Sequence, residues 1–249
     1  MSYITAENLM KQYGQKDFAV MAVKGISFDI EEGEFVAIMG ESGSGKSTLL
    51  SMMGALNSPT KGRYTIDGVD IYRLSQDQRA LFRREYLGFV FQSFYLVPYL
   101  TTLENVMIPL TTTKLKAKVK RDMAHEALEQ VGLMGKGHRL PSEISGGEQE
   151  RVAVARAVVN NPPVLIADEP TGNLDSKTTS EIMELIKGLC DRGMTVVMVT
   201  HSPECARYAQ RLIHLSDGLI AEKDNPAHDC RDFGQETDWQ KFPPLMAKG

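Results

Sequence analysis

The chemistry of this chain is concentrated first in Gly40-Glu41-Ser42-Gly43-Ser44-Gly45-Lys46-Ser47, which matches GxxxxGK[ST] at every position. Residues of these types at this spacing hold phosphate. Glycines let the backbone curl so that successive N–H groups aim at phosphate oxygens. A following helix adds its N-terminal dipole. Lys46 brings a point charge to the β- and γ-phosphates, and the Ser47 hydroxyl is a ligand for Mg²⁺. A second site of chemistry is Val164-Leu165-Ile166-Ala167-Asp168-Glu169, an apolar run ending in two carboxylates. Asp168 at a strand tip is placed to hold Mg²⁺ directly or through water. Glu169 is placed to orient or deprotonate an attacking water.

Ser145-Gly146-Gly147-Glu148-Gln149-Glu150-Arg151 precedes an apolar helical pattern and forms a second anion-binding turn at a helix N-terminus. One nucleotide does not need two cradles in one chain. Across a dimer the second cradle has a use, gripping a γ-phosphate held by the other copy. His201 follows the apolar run Thr195 to Thr200 and is a candidate for γ-phosphate contact.

The elements that must position these groups can be read from periodicity. Alternation in Ile26 to Ile30 suggests an antiparallel strand, and Phe35 to Met39 a buried one ending at Gly40. Lys46 through Leu56 is expected to be helical, with Leu49, Leu50, Met53 and Leu56 on one face. Residues 63–91 carry further strand candidates. Residues 93–145 read as helical, with Val119, Met123, Ala127, Leu128 and Val131 on one face. From 148 onward helix and strand alternate: helices at 148–160, 176–190 and 203–210, strands at 163–167, 194–199 and 211–215. That alternation predicts an α/β fold with a mostly parallel sheet and crossover helices, an N-terminal antiparallel β part and a helical insert at about 93–158. Residues 223–249 are polar and broken by prolines, and read as an extension.

Composition narrows the class. The chain has 249 residues, 42% hydrophobic and 24% charged, with a formal charge of -4. That balance offers no general attraction to nucleic acid or anionic lipid, although it leaves room for a local basic patch. Cys190, Cys205 and Cys230 have neither zinc-site nor disulfide-framework spacing. No signal peptide is expected from the first residues, and no run approaches the length of a membrane span.

Taken in order, these motifs resemble the ATP-binding cassette subunit of an ABC transporter over residues 3–222. The resemblance assigns the Walker A loop to Gly40 to Thr48, the Q-loop glutamine to Gln92, the signature to Ile144 to Glu148, and Walker B to Val164 to Asp168. It makes Glu169, His201 and Lys46 catalytic, and Ser47, Gln92 and Asp168 the Mg²⁺ set. It makes Tyr13 the adenine-stacking aromatic. Ile144 and Glu148 depart from the usual signature leucine and glutamine, and Glu148 would add negative charge near the second phosphate if it faced it. Phe89 to Phe94, Leu103 to Val106 and Glu169 to Asp175 resemble the group of lipoprotein-release, macrolide-efflux and cell-division ATPases. The resemblance implies ATP and Mg²⁺ as cofactors and a homodimer sandwiching two ATP. It also implies a separate membrane permease with a cytoplasmic coupling helix. Phe94, Tyr95, Leu96, Val97, Tyr99 and Leu100 read either as core packing of the helical insert or as a groove for that helix. The cassette would lie on the cytoplasmic face of the inner membrane, have no nucleic-acid partner, and serve export or extraction. A soluble ATPase of DNA repair or translation and a P-loop kinase or GTPase are rival classes. The first usually carries coiled coils, zinc modules or a second cassette. The second leaves the signature segment unexplained.

Overall fold

The computed structural model describes residues 2–14 and 18–221. Two long strands, β1 (Ile4–Tyr13) and β2 (Val20–Ile30), precede β3 (Phe35–Met39) and helix α1 (Lys46–Met53). There follow β4 (Lys61–Ile66), β5 (Val69–Asp70), α2 (Gln76–Tyr86) and β6 (Leu87–Phe91). Helices α3 (Thr102–Met107), α4 (Ala117–Gln130) and α5 (Gly146–Val158) form the helical part. The chain then alternates through β7 (Val164–Asp168), α6 (Ser176–Asp191), β8 (Thr195–Thr200) and the short α7 (Pro203–Ala206). It ends its described part in the hairpin of β9 (Arg211–Ser216) and β10 (Leu219–Ala221).

The N-terminal strands form an antiparallel sheet in the order β2-β1-β4-β5, and the larger sheet runs β10-β9-β3-β8-β7-β6. Only β10 is antiparallel in the larger sheet. This is the α/β architecture the sequence predicts. Alternation in β3 sends Phe35 and Ala37 into the core shared with the helical part, and Val36 and Ile38 into the core beneath α1 and the N-terminal sheet. Both faces of the sheet are therefore buried, which is why its strands read as continuous apolar runs. Register places Met39 beside Thr200, Asp168 beside Val199, and Phe91 beside Asp168. The carboxyl ends of four adjacent strands thus meet along one edge, where open α/β sheets bind ligands.

Several local expectations need correction. Helix α1 stops at Met53 rather than Leu56, and Leu56 is 56% exposed. Leu56 N–H bonds Ser51 O, Ala55 N–H bonds Met52 O, and Ala55 takes a left-handed φ of 53°. This is a Schellman stop with alanine in the left-handed position, one residue after the C-cap Gly54 that the sequence offers as a stop signal. Within residues 63–91 the strand candidates Tyr64 to Ile66 and Leu87 to Phe91 are strands, β4 and β6. Helix α2 lies between them, capped by Ser75 and Gln78 in a reciprocal capping box that was readable as S-x-x-Q. Helix 203–210 shortens to four residues. Val119, expected on the buried face of α4, is exposed, whereas Ala127 and Leu128 in the helix and Val131 just beyond it are buried. Residues 223–249, with Trp239 and Cys230, lie outside the described residues. Among the described residues no helix is long and apolar enough to cross a membrane.

One buried carboxyl stands out in α5. Glu150 is fully buried and neither oxygen has a hydrogen-bond partner among the described residues. Burial pushes its pKa up to about 8 against the opposing pull of Arg156. The unfolded chain releases this proton near 4.5, so between that pH and about 8 the native state holds more protons than the unfolded state. Stability from this group is full below that window and declines as pH rises through it. Urea denaturation at about pH 5 and about pH 8 should show the wild type losing on the order of 3 kcal/mol more than Glu150→Gln over that interval. Equal losses would mean that Glu150 is not held protonated.

Candidate functional site

The loop from Gly40 to Gly45 joins the end of β3 to the start of α1. Gly45 takes φ 101°, and a Cβ there would sit 2.3 Å from Ala22 O. A Cβ on Gly40 would sit 2.1 Å from Leu215 O and 2.6 Å from Ser44 Oγ. Glycine at these positions is therefore set by close backbone approach as well as by dihedral. The Lys46 ammonium is buried and folds over the loop, donating to Gly40 O at 2.7 Å and Glu41 O at 2.8 Å. An ammonium has three N–H donors, so one remains for an anion. Among the described residues the buried Ser44 Oγ has no hydrogen-bond partner, as a group awaiting a ligand oxygen would be.

These residues form one wall of a cavity of about 520 Å³, to which Ser42, Gly43, Gly45, Lys46, Ser47 and Thr48 contribute. The other wall is Gln92, Asp168, Glu169, Val199 and His201, with Ala22 at one side. Residues scattered between 42 and 201 converge because each follows or ends a strand of the same sheet edge.

Asp168 ends β7, and its pKa is raised first by burial, then by the neighbouring Glu169, with Lys46 opposing. A cation beside it would reverse that rise. Glu169 takes a left-handed φ of 49°, uncommon for a residue with a Cβ. Its N–H bonds Val199 O at 2.9 Å, so the turn is anchored to β8. Its carboxylate is gripped by His201 Nδ1 at 2.7 Å on Oε1 and by the Thr200 hydroxyl at 3.3 Å on Oε2. The sequence suggested His201 as a phosphate contact; its partner in this structure is Glu169. Nothing local in the sequence signals that pairing. Gln92 lies against the loop after Glu169. A Cβ on Gly172 would come within 2.8 Å of its Nε2, and Asn173 Nδ2 donates to Gln92 O at 2.9 Å.

The serine-glycine turn lies apart from this cavity. Ser145 caps α5, its Oγ accepting from Glu148 N–H at 3.3 Å while Glu148 Oε2 accepts from Ser145 N–H at 2.8 Å. The other Glu148 oxygen pairs with Lys136. Those bonds, the Lys136 one first, hold the Glu148 carboxyl below the usual carboxylate range. The extra negative charge of this signature is thus committed to the cap and countered by Lys136. Gly147 faces α6, where an added Cβ would meet Thr178 Cγ2 at 2.4 Å. Tyr13, at the end of β1, is also outside the cavity lining. Its ring is half-exposed, its hydroxyl accepts from Asn57 Nδ2 at 2.7 Å, and Lys11 Nζ stands 5.1 Å from its centroid.

A second and larger groove, about 1030 Å³, lies between β6 and the helical part. Phe89, Phe91, Tyr95, Ile108 and Pro109 line it, with Arg84 and Arg156 at its sides. Of the aromatic and apolar residues after Gln92, Tyr95 lines the groove, whereas Leu96 packs against the core. Phe94 and Tyr95 both take left-handed φ, 54° and 48°. Arg156 of α5 holds them there, donating to Phe94 O and Tyr95 O at 2.6 Å each.

The ABC transporter family pattern matches residues 23–172. An uncharacterized ABC transporter ATP-binding protein of Methanocaldococcus jannaschii is 47% identical over 219 residues, 88% of this chain and 98% of that protein. The macrolide export ATP-binding/permease protein MacB of Bdellovibrio bacteriovorus is 46% identical over 217 residues; the match takes 87% of this chain and 33% of MacB, so the chain spans about a third of that relative. Among solved structures, the dimeric bacterial ABC transporter cassette MJ0796 superposes with a TM-score of 0.82 at 44% identity, covering 89% of this chain and 98% of that one. MJ0796 has also been seen as a dimer in a post-hydrolysis state bound to ADP and Pi, with a TM-score of 0.81 and 43% identity. With its phosphate loop, its paired carboxylates at a strand tip and its serine-glycine turn, the chain belongs to the ABC transporter family as an ATP-binding, ATP-hydrolysing subunit.

Proposed function

We propose that two copies of this chain close head to tail around two ATP molecules and drive a membrane permease that exports or extracts its substrate. The observation that carries this reading is the division of the anion-binding groups. Lys46, Ser47, Gln92, Asp168, Glu169 and His201 share one cavity, while Ser145 to Gly147 present a second cradle elsewhere on the chain. A second copy is the economical way to bring the cradles onto one triphosphate, and the dimers of MJ0796 supply the precedent.

In this reading the Gly40 to Thr48 backbone, Glu41, Ser42, Gly43 and Ser44 included, cradles the phosphates. Lys46 spans the β- and γ-oxygens, and Tyr13 stacks on the base. Ser47, Asp168 and Gln92 would hold Mg²⁺. The fit is reasonable: these are hard oxygen donors on one cavity. Among the described residues no cluster of three or more His, Cys, Asp or Glu exists to cage a metal alone, so phosphate oxygens would complete the shell. When bound, Mg²⁺ would neutralise charge on the β- and γ-phosphates. Glu169 accepts a proton from the attacking water, and His201 and Thr200 fix which oxygen faces it. From the other copy, Ser145, Gly146 and Gly147 reach the γ-phosphate, with Glu148 holding that turn in shape. Phosphoryl transfer needs positioning and charge stabilisation more than covalent help, which suits a site completed only on closure.

The apolar groove beside Tyr95 suits an amphipathic cytoplasmic helix of the permease. Gln92 sits at the nucleotide end of the same segment, so occupancy of the cavity and shape of the groove are linked through Phe94, Tyr95 and Arg156. The likeness to MacB supports export. The cassette would then sit on the cytoplasmic face of the membrane, held by that partner.

Glu169→Gln should retain ATP binding, lower turnover at least ~100-fold, and accumulate an ATP-dependent dimer by size exclusion with light scattering. Near-normal turnover would remove Glu169 from its role. A mixture of Ser145→Arg and Lys46→Ala chains should recover part of the activity that each homodimer lacks, because one of the two shared sites is then intact. Wild-type rates in both mutant homodimers would refute the shared site.

A further inference from the structure

The chain is acidic overall, at -4, yet Lys114, Lys116, Lys118, Lys120 and Arg121 fall within one short run with no acid among them. Lys114, Lys116, Lys118 and Arg121 are exposed, and Lys120 is half-buried. Among the described residues none of these cations forms an ion pair, although Glu104 lies close enough to Arg121 to feel its charge. The run starts helix α4, where Lys116 at the N-cap makes no side-chain cap bond and the first turn has no acidic residue. Cations there oppose the helix dipole, and Lys116 at the N-cap stands one turn from the like charge of Lys120. Beyond the Lys120 bond to Thr111 O and the Arg121 charge beside Glu104, the fold draws little from this charge among the described residues. Two apolar side chains are interleaved with it, Leu115 just before the helix and Val119 in its first turn, which are 43% and 41% exposed. The segment also continues directly from the large groove: Thr111 and Thr112 line that groove, and Lys120 Nζ bonds Thr111 O at 3.2 Å.

We infer that the Lys114 to Arg121 run is a membrane-surface contact that binds anionic phospholipid headgroups, with Leu115 and Val119 entering the interface between them. This rests on the proposed reading of the adjacent groove as the permease dock, which brings α4 toward the bilayer. Charge complementarity selects anionic lipid, and the interleaved apolar pair selects a surface with an apolar layer beneath its phosphates rather than a soluble anion. An isolated basic run gives weak, salt-sensitive binding, so its role is to orient a cassette already held by the permease.

The test uses the full chain and vesicles of phosphatidylcholine alone or mixed with equal parts phosphatidylglycerol, read by co-sedimentation. Binding should require the anionic lipid and weaken with salt. Each of Lys116→Gln, Lys118→Gln and Lys120→Gln should lower vesicle affinity about fivefold. Leu115→Ser with Val119→Ser should lower it without changing charge, and all variants should keep the ATPase rate of the free protein. Binding equal on neutral vesicles, or unchanged by the lysine variants, would overturn the inference. So would loss of permease-stimulated ATPase in the lysine variants in neutral detergent, because that outcome assigns the run to an acidic protein segment. Failure of Glu169→Gln to dimerise with vesicle binding intact would instead count against the shared ATP site alone.

Discussion

The backbone ladder that aligns β6, β7, β8 and β3 is the constraint on which the rest depends. Parallel pairing sets Met39 by Thr200, Asp168 by Val199 and Phe91 by Asp168. Neighbouring strands lie roughly 4.8 Å apart, so groups far apart in sequence end within reach of one triphosphate. Burial on both faces protects this register. A slip by one residue would exchange Val36 and Ile38 with Phe35 and Ala37 between two differently shaped cores. The paired carboxylates and His201 sit at the carboxyl ends of those strands, and the glycine loop is held there also by Leu215 of β9 and Ala22 of β2.

Much of the site was legible because its parts are local. A strand, a glycine turn and a helix define the Lys46 loop within a dozen residues, and an apolar strand with two terminal acids marks Asp168 and Glu169 as plainly. The sheet followed from the alternation of patterns after residue 148. Side chains that answer to distant residues were not legible. Glu169 is held by His201, Gln92 lies against Gly172, and Arg156 holds the carbonyls of Phe94 and Tyr95. No spacing rule connects such pairs, because each depends on how two elements pack. Helix α1 was overextended for a different reason. Its stop puts Ala55 in a conformation normally given to glycine, just after Gly54, while Leu56 continues the apolar periodicity past the true end.

Helix α5 joins three tasks in one rigid element. Its N-terminus carries Ser145, Gly146 and Gly147; its middle buries Glu150; its last turn sends Arg156 to the groove wall. Placing an unpaired carboxyl inside such a helix is costly unless it is neutral, and burial keeps it so. The cations at the start of α4 present the opposite case, charge that forms no ion pair among the described residues.

The contact of Gly147 with Thr178 has a wider consequence. Thr178 belongs to α6, whose N-cap Asp175 ends the loop that begins at Glu169, and that loop is closed by Gly172 N–H on Glu169 O and Leu174 N–H on Thr171 O. In the proposed dimer, Glu169 is therefore joined through this hydrogen-bonded turn to the cradle its chain would offer its neighbour. In an enzyme assembled from two such chains, the catalytic cycles of the two sites would be kinetically correlated, and turnover would depend on ATP concentration more steeply than a single hyperbola allows.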